Sequence, residues 1–309
     1  MRPPRLREGD TIALVAPAGP VPQTLLDAAL PVLRGWGVRV RLGAGVRAEP
    51  SSPRYLSDSD SRRAAEFTEA WLDPDVHCVL AARGGYGTQR MLDLVDWRAL
   101  RAAGPKILAG SSDITALHRA VDVHLGLDSL LSPMPASELF DEAAAEHLRL
   151  TLFEPEKTRI LRSGGFETLV PGQATGRLIG GNLAILAAGV GTAEHRPAEG
   201  IAVLEDVTES VYRLDRMLTQ LLRSGWFAGV RGVVLGSWAG CGDPAEIRSM
   251  LVDRLSPLGV PVVGEFGFGH VRSSPTVPRG GGGRGGPPPP PPRRAPPPPA
   301  RHPTGSVTV

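Results

Sequence analysis

Cysteine is nearly missing from this 309-residue chain, which has only Cys78 and Cys241. Two thiols so far apart make neither a disulfide framework nor a zinc cluster. Cys78 lies in the apolar run 76–82, where a small buried core residue is favoured over a catalytic thiol. Long apolar runs are also missing. Nothing approaches the ~20 consecutive residues needed to cross a bilayer, and the N-terminus has basic residues without the apolar core of a signal peptide. A cytoplasmic protein is the expectation. A surplus of charge is missing too: 34 Lys+Arg against 32 Asp+Glu leave a net charge of +2, so neither nucleic acid nor an anionic membrane is expected as partner. Aromatic residues make up 5% of the chain, and sequence alone places none of them at a site.

What is present is apolar content in short, punctuated runs. A hydrophobic fraction of 41% suffices for real cores, and the length fits one large or two ordinary domains. Residues 11–16 form a β-branched, apolar run closed by Pro17-Ala18-Gly19-Pro20, which reads as a buried strand. Further strands are expected at 38–40, 77–82 and 106–110. Helices are expected between them, at 25–33, 62–72, 89–94 and 114–123. Alternation of this kind predicts an α/β domain with a mostly parallel, Rossmann- or flavodoxin-like sheet over 1–150. Residues 151–172 are polar and broken by Gly and Pro, and read as a linker. A smaller α/β unit is expected over 173–280. In it Gly180-Gly181-Asn182 opens a helical run, strands lie at 201–204, 232–236 and 261–264, and a helix spans 212–222. Residues 281–309 are almost wholly Gly, Pro and Arg, a composition that predicts a disordered or polyproline II tail.

One segment carries chemistry. A strand runs into Gly110-Ser111-Ser112-Asp113, and a helix begins at once. A serine on such a turn projects its Oγ from the sheet edge, and the next amide can stabilise an oxyanion. The pattern departs from G-x-S-x-G because Ile114 stands at the last glycine, and a helix cap at Ser112 or Asp113 is the competing reading. A nucleophilic serine needs a base and an orienting carboxylate. Among the seven histidines, His270 is set apart by the glycine-rich loop that it ends. His118, His124 and His147 fall on expected helices, His77 starts a strand and His302 is in the tail. Glu205 directly follows an apolar strand, at the end where α/β sheets place sites.

These segments, taken together, resemble the LD-carboxypeptidase family, which also includes the microcin C self-immunity proteins. The resemblance runs over residues 5–280. Its motifs are Gly9-Asp10-Thr11-Ile12 with Val15-Ala16-Pro17-Ala18-Gly19-Pro20, Arg83-Gly84-Gly85-Tyr86-Gly87, and Gly110-Ser111-Ser112-Asp113-Ile114-Thr115. They continue with Gly180-Gly181-Asn182-Leu183, Leu204-Glu205-Asp206-Val207 and Gly269-His270. The resemblance implies a serine carboxypeptidase with Ser112 as nucleophile, Glu205 and His270 completing the triad, and the amides of Asp113 and Gly85 as the oxyanion hole. It implies no cofactor or metal, a small peptide substrate, a cytoplasmic homodimer, and a site between two domains. The usual substrate is the murein tetrapeptide, which loses its terminal D-alanine during peptidoglycan recycling. A peptidyl-nucleotide antibiotic, or a peptide bound without cleavage, are the alternatives.

Substrate contacts are assigned to Gly84, Gly181, Asn182 and Arg83, the last either clamping a carboxylate or capping its turn. Two departures from the family stand out. Leu131-Ser132-Pro133-Met134 replaces His-Gly-Pro-Met, and past Pro278-Arg279-Gly280 the chain turns to Gly, Pro and Arg where members continue into further strand.

Overall fold

The computed structural model describes residues 1–49, 53–158 and 166–280. The Gly/Pro/Arg segment expected to be disordered lies outside them. In the N-terminal half the apolar runs become strands that alternate with helices: β1 (Thr11–Val15), α1 (Gln23–Arg34), β2 (Arg39–Leu42), α2 (Asp60–Leu72), β3 (Val76–Ala81), α3 (Thr88–Met91), α4 (Trp97–Ala103), β4 (Ile107–Gly110), α5 (Thr115–Leu125), β5 (Ser129–Leu131) and α6 (Glu142–Phe153). The helices form where one face is apolar. In α1, Leu26, Ala29, Leu30 and Leu33 are the buried positions, at the i, i+3, i+4, i+7 spacing of a single stripe. Ser59 caps α2 by accepting from the Arg62 amide at 3.4 Å.

The C-terminal half contributes β6 (Glu167–Val170), β7 (Leu178–Asn182), α7 (Leu183–Ala188), β8 (Glu199–Val207), α8 (Val211–Arg223), β9 (Gly229–Ala239), α9 (Pro244–Leu255), β10 (Val262–Gly264) and β11 (Val277–Arg279). Two sheets result, ordered β11-β5-β4-β3-β1-β2 and β6-β10-β9-β8-β7. All pairings are parallel except β11 with β5 and β6 with β10. The run β2-β1-β3-β4-β5 is the doubly wound order expected for a flavodoxin-like sheet. It reverses direction between β1 and β3, and the crevice at such a switch point is where open α/β sheets bind ligands.

Several elements differ from the sequence expectation. Asn182 does open the expected helix, as the cap of α7, but Gly180, Gly181 and Asn182 also finish a strand, β7, that the sequence did not show. The glycines there serve close approach: a Cβ on Gly181, at φ +138°, would lie 2.6 Å from Thr115 Oγ1 of α5. β6 falls within the stretch read as a linker. It is a half-exposed edge strand, so it lacks the apolar run that marks a buried one. β5 and β11 have three residues each, too few to show a period. Cys78 is fully buried, and burial pushes its thiol up, as suits a core residue. Among the described residues, no helix is long and apolar enough to cross a membrane.

The halves share an apolar cluster. Leu131 of β5 and Val277 of β11 pack with Leu178, Ile201, Val203, Val234, Phe266 and Phe268 from the second sheet and its loop. β11 thus returns the end of the described chain to the first sheet, and Gly280 bridges to Leu178 of β7. Phe268 is 1% exposed in this cluster. Phe268→Ala is expected to lower the unfolding free energy by about 3–5 kcal/mol, read from the urea midpoint of the full chain.

Candidate active site

Four strand ends converge at the crevice. After β4 the chain turns sharply, with Gly110 at φ +156° and Ser112 at φ +60°. A side chain at Gly110 would meet Ile114 and Ala81 at 3.0–3.1 Å. Ser112 is not glycine, so its left-handed backbone is a strained conformation held by its surroundings, as functional turns often are. A single 3-10 turn (Ser112–Ile114) leads into α5. His118, read from sequence only as a helix residue, is buried below this elbow, and its Nε2 donates to the Gly110 carbonyl at 2.9 Å. Burial, followed by the charge of Arg279, lowers His118 to about 3. It therefore stays neutral and supports the turn.

The turn after β3 forms the facing wall. Gly84 packs against the serine so closely that a Cβ there would lie 3.0 Å from Ser112 Cβ and 3.2 Å from its Oγ. The Gly84 carbonyl accepts from Gly19 N at 3.0 Å, which ties the β3 turn to the β1 turn across the switch point. Among the described residues, neither the Asp113 nor the Gly85 amide donates to a protein acceptor, and Ser112 Oγ has no hydrogen-bond partner. The Asp113 carboxylate points away from the crevice and accepts from Thr88 N at 2.8 Å, capping α3; burial raises its pKa. Arg83 is exposed at the rim and donates to the Pro20 carbonyl at 2.9 Å.

The second sheet supplies a buried carboxylate–imidazole pair. Glu205 lies inside β8 and is 0% exposed; its Oε2 is 2.7 Å from His270 Nδ1. Asn182, at the end of β7, donates from Nδ2 to Glu205 Oε1 at 3.3 Å and to Asp206 Oδ1 at 3.0 Å, while its Oδ1 accepts from Ile185 N to cap α7. The Asn182 amide donates to Thr115 Oγ1 at 3.0 Å. One chain of hydrogen bonds therefore links His270, Glu205 and Asn182 to the first residue of the helix that follows Ser112. Asn182, expected to touch substrate, is buried and bonds within this link, and Gly181 packs against Thr115 beside it.

The His270 loop is held from both halves. The Phe268 carbonyl accepts from Ser237 N at 2.8 Å, Ser273 donates twice to Asp141 Oδ2, and Thr276 N donates to His147 Nδ1. Burial works against the His270 imidazolium. The Glu205 hydrogen bond and the charges of Glu205 and Asp206 outweigh it, so His270 is held above the ordinary imidazole value. Asp206 is itself pushed up to about 6, first by burial, with the Glu205 charge adding to it. Among the described residues, no cluster of His, Cys, Asp and Glu has the geometry to hold a metal.

Two further features were not readable from sequence. A cavity of about 530 Å³ opens beside Val271, the residue after His270, and is bounded by Ser237, Trp238, Glu265 and Arg248. On the opposite side, the turn carrying Gly84 and Gly85 also carries Tyr86, whose ring meets that of Tyr55 edge-on at 5.8 Å. Aromatic rings do therefore reach the site. The signal was Tyr86 within the Arg83–Gly87 motif; its partner Tyr55 comes from a distant loop.

Residues 12–132 match the family model for the LD-carboxypeptidase N-terminal domain, and residues 175–284 match the model for its C-terminal domain. A protein of Streptomyces coelicolor with a provisional carboxypeptidase name is 54% identical over 284 residues, 91% of each chain. The murein tetrapeptide carboxypeptidase of Pseudomonas aeruginosa is 34% identical over 288 residues, covering 87% of this chain and 91% of that one. Among solved structures, the muramoyltetrapeptide carboxypeptidase of Oxalobacter formigenes superposes with a TM-score of 0.72 at 31% identity, covering 87% of this chain and 92% of that one. An MccF-like protein of Bacillus anthracis gives 0.80 at 26% identity, covering 91% and 94%.

The pH behaviour of His270 follows from its neighbours. Its imidazole is expected to titrate above the ordinary value of about 6.5. Asp206→Asn removes a nearby negative charge that favours the imidazolium, so the midpoint should move down. Histidine resonances followed by NMR through a pH series check both statements, and an unmoved His270 midpoint in the variant would contradict the charge argument.

Proposed function

The chain belongs to the LD-carboxypeptidase family, and on that footing we propose that it removes the terminal D-alanine from murein tetrapeptide through an acyl-enzyme on Ser112. The family makes it a serine-type hydrolase; the residue roles and the substrate are the proposal. The observation that carries it is the buried Glu205–His270 pair at 2.7 Å, joined through Asn182 to the helix that starts beside Ser112.

The steps follow from the atoms available. Glu205 occupies His270 Nδ1, which leaves Nε2 to accept the serine proton. Ser112 Oγ attacks the carbonyl carbon of the last peptide bond. The unused amides of Asp113 and Gly85 receive the negative charge that develops on the carbonyl oxygen. Glu205 stabilises the imidazolium without taking its proton. The C–N bond breaks as His270 Nε2 returns the proton to the departing amine of D-alanine. Water then attacks the Ser112 ester, His270 again takes the proton, and the free carboxylate leaves as Oγ is reprotonated. The raised pKa of His270 suits its acid step and requires a pH high enough to leave it neutral for the first step.

The reading includes a cytoplasmic homodimer acting in peptidoglycan recycling. The murein-acting relatives, at 31–34% identity, support this substrate. The close superposition with an MccF-like protein favours a second substrate of the same chemistry, a peptidyl-nucleotide whose acyl bond Ser112 would attack in the same way.

Incubating the full chain with tetrapeptide and following the products by mass spectrometry tests the proposal. Wild type should release one D-alanine. Ser112→Ala should release none above background, and Glu205→Gln should lose roughly 10⁴-fold in kcat through the wrong imidazole tautomer. No cleavage of tetrapeptide by folded wild type, with cleavage of a peptidyl-nucleotide, would replace the first substrate with the second. Cleavage of neither would leave a peptide binder.

A further inference from the structure

The chain has only three tyrosines, and two of them stand together at the edge of the crevice. Tyr55 is 55% exposed and Tyr86 48% exposed, although their rings contact one another at 5.8 Å with planes 61° apart. Both are mounted on firmly held backbone. Tyr86 follows Gly84 and Gly85 in the turn packed on Ser112. Tyr55 precedes Ser57, whose amide and hydroxyl bond the carbonyls of Ala18 and Ala16 at the end of β1. Rigid, half-exposed aromatic surface beside a site is a means of gripping the apolar face of a ring.

The direction in which substrate runs identifies the ring. His270 must protonate the leaving amine, so the departing residue lies toward the second sheet, which holds the Glu205–His270 pair. The acyl part then runs across the opposite wall, built from Gly84, Gly85 and Tyr86. Two Cα steps, at most about 7.6 Å, separate Gly84 from Tyr86, and the rings extend farther; three extended residues cover about 10–11 Å. A tetrapeptide cut at its last bond has three residues on this side, which brings its amino end to the tyrosines. In a muropeptide that end bears a pyranose.

The geometry points to Tyr55 and Tyr86 as a stacking platform for the sugar at the amino end of the substrate, making a saccharide-linked tetrapeptide a better substrate than the free peptide. This rests on the murein reading above. The sugar's C–H face lies on the exposed aromatic surface, its hydroxyls point to solvent, and no covalent step is involved. Tyr55 is a specificity-determining residue in this scheme.

The test compares kcat/KM for free tetrapeptide and for N-acetylmuramyl-tetrapeptide. Wild type should favour the saccharide-linked substrate by roughly tenfold, the scale of one aromatic stacking contact. Tyr55→Ala should bring the ratio close to one, mainly through KM. Tyr55→Phe, which keeps the ring, should retain the preference, and so should Tyr212→Ala, at an exposed tyrosine on α8. Equal kcat/KM for both substrates in wild type, or an unchanged ratio in Tyr55→Ala, would overturn the platform and leave the murein reading standing. Cleavage of neither substrate by folded wild type would overturn both.

Discussion

Everything at this site depends on keeping a carboxylate where no water reaches it. Glu205 is fully buried within β8, and an unpaired charge there would cost several kcal/mol. Its oxygens are divided between His270 Nδ1 and Asn182 Nδ2, so breaking either contact leaves the other to compensate alone. The same arrangement fixes which imidazole nitrogen faces the crevice. Because Asn182 also donates its backbone amide to Thr115, the partner that satisfies the carboxylate registers the second sheet against the helix that follows Ser112. The Glu205–His270 pair and Ser112 come from different halves of the chain, and this hydrogen-bonded link ties the pair to the helix that follows the serine.

The first sheet carries its strain at the complementary place. Ser112 has a positive φ, and the conformation is enforced by Gly110 without a side chain, by the His118 bond to the Gly110 carbonyl, and by Gly84 pressed against the serine. Such a turn exposes Oγ and frees the next amide. A histidine lowered to about 3 is suited to this supporting role because it neither titrates nor competes as a base in the working range of His270. Two buried histidine environments thus give opposite results: His118 lacks a carboxylate and is lowered, whereas His270 has two carboxylates close by and is raised above the ordinary imidazole value.

Much of the scaffold was legible in order along the chain. The apolar β-branched runs at β1, β3, β4 and β8 and the one-sided stripes of α1, α2 and α8 mark themselves by period, since each buries one face or two. β6, β5 and β11 did not, because a strand of three or four residues is specified by its neighbours and not by its own pattern. β7 was missed for a related reason, although the helix after it was read: Gly180 and Gly181 carry no side chain to show a period, and they serve close contact with Val203 and Thr115, residues remote in sequence.

Sequence by itself marked the candidates, a serine on a strand-to-helix turn, a glutamate after an apolar run and a histidine in a glycine loop, because those local contexts can be read within a few positions. Tertiary structure alone decided that Glu205 bonds Nδ1, that Asn182 and Gly181 serve the join between sheets, that His118 supports the elbow, and that Tyr55 meets Tyr86 at the rim. Each of these is a contact between segments tens of residues apart. Periodicity and propensity describe a chain's relation to its near neighbours, and only packing brings distant ones within hydrogen-bond or stacking distance.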